Sequence, residues 1–119
     1  MLTSHSLDDL SSVFSALANE HRRELLRLLA LRPSSISELA ELRGLSLPAI
    51  HKHVRILEDA SMVSRRKLGR TNFLALDREP LSRLQAWTTQ FHPWWGTDRE
   101  TLKNYATFLN DPKSTKEEA

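Results

Sequence analysis

The chain has 119 residues, with 17 Lys plus Arg, 15 Asp plus Glu, five His, no Cys and a formal charge of +2 at pH 7. That length supports one domain with a working hydrophobic core, and the lack of Cys excludes disulfides, thiolate metal ligands, a thiol redox switch and a cysteine nucleophile. The longest apolar stretch, LLRLLAL at 25–31, contains an arginine and falls far short of a bilayer span. MLTSHSLDDL at the N-terminus has neither the basic nor the apolar segment of a secretory signal, so the expectation is a cytoplasmic protein with no membrane partner.

Leu7, Leu10, Val13, Phe14 and Leu17 recur at helical spacing and predict a first amphipathic helix over 7–18. Asn19 suits the N-cap of a second helix running to about residue 31, with Leu25, Leu26, Leu28 and Leu29 as its apolar stripe. Arg32-Pro33 ends it, because proline cannot continue the hydrogen-bond ladder. SISE at 35–38 is a capping box in which Ser35 accepts from the Glu38 amide while Glu38 reaches back. It opens a short third helix over 36–43, and Gly44 suits the left-handed position just past its end.

Ser46 caps a fourth helix to about residue 59, with Pro48 in the first turn, where no amide donor is needed. Ile50, Val54 and Leu57 form its inner face, while His51, Lys52 and Arg55 fall on the other. Beyond residue 60 the period changes to two: VSRRK at 63–67 and TNFLAL at 71–76 read as strands of a hairpin around Leu68-Gly69-Arg70. A fifth helix begins near Pro80 with Leu84, Trp87 and Phe91 on one face. Pro93 and Gly96 then interrupt the pattern, predicting a kink or a break over 92–96. TDRE at 97–100 is a second capping box, opening a helix with Leu102, Tyr105, Ala106 and Leu109 on one side. A polar tail follows over 111–119.

The modest net charge conceals a strong asymmetry. Residues 1–42 carry a net of −2, residues 43–78 a net of +5, and residues 79–119 a net of −1. The aromatics segregate too, since Trp87, Phe91, Trp94, Trp95, Tyr105 and Phe108 all lie between 87 and 108.

Helix, helix, short helix, glycine turn, basic helix and basic hairpin together predict a mainly α winged helix-turn-helix with a small β-hairpin. Ile36 and Leu39 would pack on Ile50 and Val54, fixing an angle that projects the fourth helix into a DNA major groove about 12 Å wide. Lys52 and Arg55 suit phosphates and His51 a base edge. His53 has two open readings, a phosphate donor or an internal packing group. Arg65, Arg66, Lys67 and Arg70 could track the backbone or reach a minor groove. Strand alternation puts Arg65 and Lys67 on one side and Arg66 on the other, so not all can touch DNA at once.

VFSALANEHRRELLRLLA and SISELAELRGLSLPAIHKHVRILEDASMVSRRKLGRTNFLAL resemble the ArsR/SmtB family of bacterial transcriptional repressors over roughly residues 10–78. The likeness is greatest in LSLPAIHKHVRILEDASMVSRR, which is similar to the family's LSQPAVSKHLRVLEEAGLVSRR. The resemblance implies a single domain over 1–110, with a recognition helix at 46–59, a wing at 63–76 and C-terminal dimerisation helices at 79–110. It further implies a homodimeric repressor of double-stranded DNA, with Ser46, Leu47, Pro48 and Thr71 added to the DNA-binding positions. Two recognition helices related by a two-fold axis would read an imperfect palindrome.

The chain departs from the family in two places. Metal-sensing members carry a Cys cluster at the start of the third helix, where this chain has Ser34, Ser35, Ile36 and Ser37. Others pair Asp and His on the last helix, where this chain has only His92, beside a proline. Neither a metal nor a cofactor is expected. Leu47 and His51 stand where the family often has Gln and Ser or Thr, which leaves the operator sequence open.

The expected dimer seam comprises Leu7, Leu10, Phe14, Leu84, Trp87, Phe91, Trp94 and Trp95. The same aromatics have a second reading, a pocket for an unknown small apolar or aromatic effector. No converging acids, bases or nucleophiles suggest an enzyme. The alternative to DNA binding is a winged-helix protein–protein interaction module whose basic face meets an acidic partner.

Overall fold

A computed structural model describes residues 2–91 and 101–111, with side chains from residue 10 onward in those ranges. Helix α1 (Leu2–Leu17) starts earlier than its apolar repeat suggested, since neither Gly nor Pro interrupts the preceding residues. Its last carbonyls lack intrahelical donors and are taken by arginines of α2 (Glu20–Leu31). Arg22 Nε donates to the Ala16 carbonyl at 2.7 Å, its Nη2 to Ser15 at 3.2 Å, and Arg23 Nη1 to Leu17 at 2.8 Å. Asn19 Oδ1 caps α2 by accepting from the Arg22 amide at 3.2 Å.

Between Pro33 and α3 (Ile36–Arg43) lies a two-residue strand, β1 (Ser34–Ser35), which the sequence reading did not anticipate. It pairs antiparallel with β3 (Thr71–Leu76), Ser34 opposite Leu74 and Ser35 opposite Phe73. A segment this short has no periodicity to read. Ser35 Oγ accepts from the Glu38 amide at 3.1 Å, as a capping box requires. The Glu38 carboxylate reaches back in turn: it accepts from Arg32 Nη2 at 2.6 Å, and that contact together with the Ser35 backbone amide holds its pKa below the ordinary carboxylate value.

α3 ends in a Schellman turn: Leu45 N donates to the Ala40 carbonyl at 2.9 Å and Gly44 N to Glu41 at 3.1 Å, with Gly44 at φ 64°. Ser46 Oγ then caps α4 (Leu47–Asp59), accepting from the Ala49 amide at 3.3 Å, with Pro48 in the first turn. α4 ends in the same way, with Met62 N on the Leu57 carbonyl at 3.0 Å and Ser61 N on Glu58 at 2.9 Å. Here the left-handed position, at φ 59°, is filled by Ser61.

β2 (Val63–Leu68) and β3 pair in register from Val63–Leu76 to Leu68–Thr71. Leu68 therefore belongs to the strand, and the loop is only Gly69-Arg70, with Gly69 at φ 64°. The sheet is three-stranded, in the order β1-β3-β2. One cluster of buried side chains joins α1 (Val13, Ala16), α2 (Leu25, Leu26, Leu29), α3 (Ile36, Leu39, Ala40), α4 (Ile50, Val54, Leu57) and the sheet (Val63, Leu74). Ile36 and Leu39 of α3 are buried in the same cluster as Ile50 and Val54, so α4 is anchored along one face and open along the other.

These elements form one compact unit over residues 1–86. It includes the start of α5 (Glu79–Thr89), whose Pro80 is buried and whose Leu81 and Leu84 pack against the core. A second unit begins at Trp87 and contains α6 (Thr101–Leu109). Within it Trp87 and Phe91 meet edge-to-face at 4.8 Å, and Tyr105 stacks on Phe108 at 6.2 Å. The kink or break over 92–96, the capping box at 97–100, His92, Trp94 and Trp95 lie outside the described residues, as does the tail from 112. The fold is mainly α with a small antiparallel sheet, a winged helix-turn-helix.

Candidate nucleic-acid interface

Burying Ile50, Val54 and Leu57 turns the opposite side of α4 to solvent, and there Pro48, His51, Lys52 and Arg55 line a shallow concavity of about 230 Å³. Toward the start of the helix, Leu47 and His51 share a second concavity of about 180 Å³ with Arg70, Thr71 and Asn72 of the hairpin and Ile36 and Ser37 of α3. The exposed start of α4 and the tip of the hairpin thus form one surface. Ser46 holds the entry to it by capping the helix. Asn72, Ile36 and Ser37 were missed by sequence reasoning; proximity to Arg70 could have flagged Asn72, but nothing in the sequence flags the other two.

What distinguishes this surface electrically is the lack of acidic partners. Elsewhere the arginines are engaged: Arg27 with Glu24, Arg32 with Glu38, Arg83 with Glu79, and Arg78 with the Ala30 carbonyl. Lys52, Arg55, Arg66, Lys67 and Arg70 have no protein acceptor among the described residues. These side chains are open to an external anion.

Two residues expected in the interface have other engagements. Arg65 donates to Glu58 through Nε at 3.3 Å and Nη2 at 2.9 Å, fastening β2 to the end of α4. Strand alternation set it on the side of Val63, where that carboxylate waits. His53 is half-buried, its Nδ1 3.2 Å from Arg22 Nη1 and its ring 5.6 Å from that of His21. Burial, reinforced by the charges of Arg22, His21 and Lys52, holds its imidazole below the ordinary histidine value. Of its two readings, this geometry is that of the packing group. His21 is held in turn from α3, with Arg43 Nη2 3.1 Å from its Nδ1.

The expected seam residues differ in exposure. Phe14 is 41% exposed, Trp87 39% and Phe91 64%, while Leu84 is partly covered by the core. Leu10 is half-buried, and the side chain of Leu7 lies outside the described residues, with Trp94 and Trp95. Among the described residues no three His, Asp or Glu side chains converge as a metal site would need. No helix among them is long and apolar enough to cross a membrane.

A helix-turn-helix domain family matches residues 17–66. Rv2034, an HTH-type transcriptional regulator of Mycobacterium tuberculosis, is 32% identical over 97 residues, which cover 82% of this chain and 85% of that protein. KmtR, another HTH-type transcriptional regulator of that organism, is 38% identical over 72 residues; they make up 60% of this chain and about half, 55%, of KmtR. Among solved structures, an ArsR family transcriptional regulator superposes with a TM-score of 0.68 at 34% identity, covering 74% of this chain and 91% of that one. The homodimeric winged helix-turn-helix DNA-binding domain Mb0332 of Mycobacterium bovis superposes with a TM-score of 0.64 at 26% identity, covering 73% and 81%.

Proposed function

From the premise that this chain belongs to the ArsR family of winged helix-turn-helix transcriptional regulators, we propose that it acts as a homodimeric repressor on a palindromic operator without a metal signal. Membership makes it a DNA-binding transcriptional regulator. The observation that carries the assignment of the contact surface is the set of cations on α4 and the hairpin that have no protein acceptor among the described residues.

Lys52 and Arg55 take phosphates flanking the major groove, where His51 reaches a base edge and the exposed Leu47 offers an apolar contact to a thymine methyl. Ser46 and Pro48 bring the first turn of α4 close to the backbone. Arg66, Lys67, Arg70 and Thr71 extend the footprint along the wing. His53 and Arg65 serve the surface indirectly, by holding α4 and β2 in place.

Dimerisation through α1 and the C-terminal helices draws support from the exposure of Phe14, Trp87 and Phe91, large rings of the kind that anchor interfaces. It would set two recognition helices about 34 Å apart, one DNA turn. Repression follows if an occupied operator excludes the polymerase. Metal-independence is supported by serines where metal-sensing members have cysteines: Ser34 donates to the Arg32 carbonyl at 3.3 Å and Ser35 caps α3.

The test is a mobility shift on DNA from upstream of the protein's own gene, run over a salt series. The expected result is a palindrome-dependent shift, with Arg55→Ala or Arg70→Ala lowering the salt slope by about one on every sequence. No shift even at low salt would assign the fold to a protein partner instead.

A further inference from the structure

We propose that the outer face of the wing is a binding site for a small amphipathic carboxylate, whose apolar body fills a groove walled by Pro33, Leu68, Phe73 and Ala75 while its anionic end pairs with Arg66. In the β2–β3 ladder Val63, Leu74 and Leu76 face the core, so the alternating residues Arg66, Leu68, Phe73 and Ala75 face outward. They border a groove of about 440 Å³, of the size that takes a small organic molecule. Leu68 at its edge is 66% exposed, and Phe73 and Ala75 are only partly covered. A lone exposed leucine signifies little, whereas here Pro33, Leu68, Phe73 and Ala75 border one concavity beside a cation.

The charge selects the occupant. No acidic residue lines the groove, and Arg66, directly opposite Phe73 in the ladder, has no acceptor among the described residues. A wholly apolar occupant would bury that guanidinium without a partner. A hydrated inorganic anion would gain nothing from Leu68 and Phe73. An apolar body with one carboxylate satisfies both, since the guanidinium fork matches a carboxylate in two parallel hydrogen bonds. The consequence for DNA rests on the reading above, in which Arg66 is a wing contact: an occupied groove withdraws it from phosphate and weakens operator binding.

The test titrates the full chain without DNA, following backbone amides by two-dimensional NMR, with octanoate as the probe and octanol as its uncharged match. Octanoate should saturably shift the Arg66, Leu68, Phe73 and Ala75 amides, and octanol should bind about tenfold more weakly. Leu68→Ser, at a position too exposed to govern folding, should weaken both, and Arg66→Gln should erase the preference for the acid. Absence of saturation, equal binding of octanol, or shifts indifferent to both substitutions would overturn the site. A change of sedimentation in Leu68→Ser would overturn it as well, by showing the groove to be a contact between copies. On operator DNA at fixed ionic strength, saturating octanoate should lower wild-type affinity about tenfold. An unchanged affinity would overturn the link to DNA. A wild-type chain that binds no DNA would sink the repressor reading alone, since the amide shifts judge the site independently.

Discussion

The arginines of α2 and the cations of α4 and the hairpin are alike in type and opposite in use. Arg22 ties three helices at once, donating to the carbonyls of Ser15 and Ala16 on α1 from its place on α2 and meeting His53 on α4. Arg23 caps α1 and Arg27 pairs with Glu24. Lys52 and Arg55 on the exposed side of α4 and Arg66, Lys67 and Arg70 on the wing have nothing of the kind among the described residues, Arg65 with its Glu58 pair standing apart from them. Counting charge along the chain locates the second group, but only the first group's engagement shows why the second is significant: charge already satisfied within the fold has little to offer a phosphate.

The largest effect that would test this contrast is Arg22→Ala. It removes the charged hydrogen bonds to the Ser15 and Ala16 carbonyls at the end of α1 and the contact with His53, and should cost about 2 kcal/mol, read as a lowered Tm. Arg22→Lys should recover little of it, because an ammonium cannot fork. Lys52→Ala should do the reverse, changing stability by no more than about 0.5 kcal/mol while lowering the salt slope of DNA binding by about one. If Lys52→Ala destabilised the fold, or Arg22→Ala left the Tm alone, the division between internal and external cations would fail.

His53 lies on the border between the two groups, and pH probes it. Its folded-state pKa is below the ordinary value of about 6.5, chiefly through burial and then through Arg22, His21 and Lys52. The unfolded chain therefore binds the proton more readily. The stability that the neutral ring contributes is present above about pH 6.5, falls as acidification carries the pH down through the folded pKa, and is flat below it. Denaturant titrations at successive pH values should show this decline, smaller than the loss in Arg22→Ala, and His53→Gln should flatten it. The same slope in His53→Gln would assign the proton to another group.

The helices, the caps at Asn19, Ser35 and Ser46 and the glycine turn were legible because each rests on neighbours within a few residues. The exposed row of His51, Lys52 and Arg55 was legible for the same reason, since helical period alone sets it against Ile50, Val54 and Leu57. What escaped depends on partners distant in sequence. The pairing of β1 joins Ser34 to Leu74, and His53 meets Arg22 from another helix. Arg65 is separated from Glu58 by a turn whose path no local pattern gives, so counting it with the wing cations was natural and its ion pair was out of sight.

The smallest effect concerns that turn. α3 and α4 end in matching Schellman turns, yet Gly44 occupies the left-handed position in one and Ser61 in the other, at φ 64° and 59°. In the family segment LEEAGLVSRR that position is glycine. A left-handed conformation costs a side chain about 1 kcal/mol, and glycine's greater freedom in the unfolded chain returns part of that difference. Ser61→Gly should thus stabilise the protein by about 0.5 kcal/mol. The exchange Gly44→Ser should destabilise it by backbone strain alone, because no atom lies within 4 Å of where its Cβ would sit. Neither change touches a cation, so both should leave the salt slope of DNA binding intact. A slope that moved with Ser61→Gly would mean that the turn sets how Arg65, Arg66 and Lys67 are presented, and that the wing's affinity is inseparable from the geometry of the helix end that launches it.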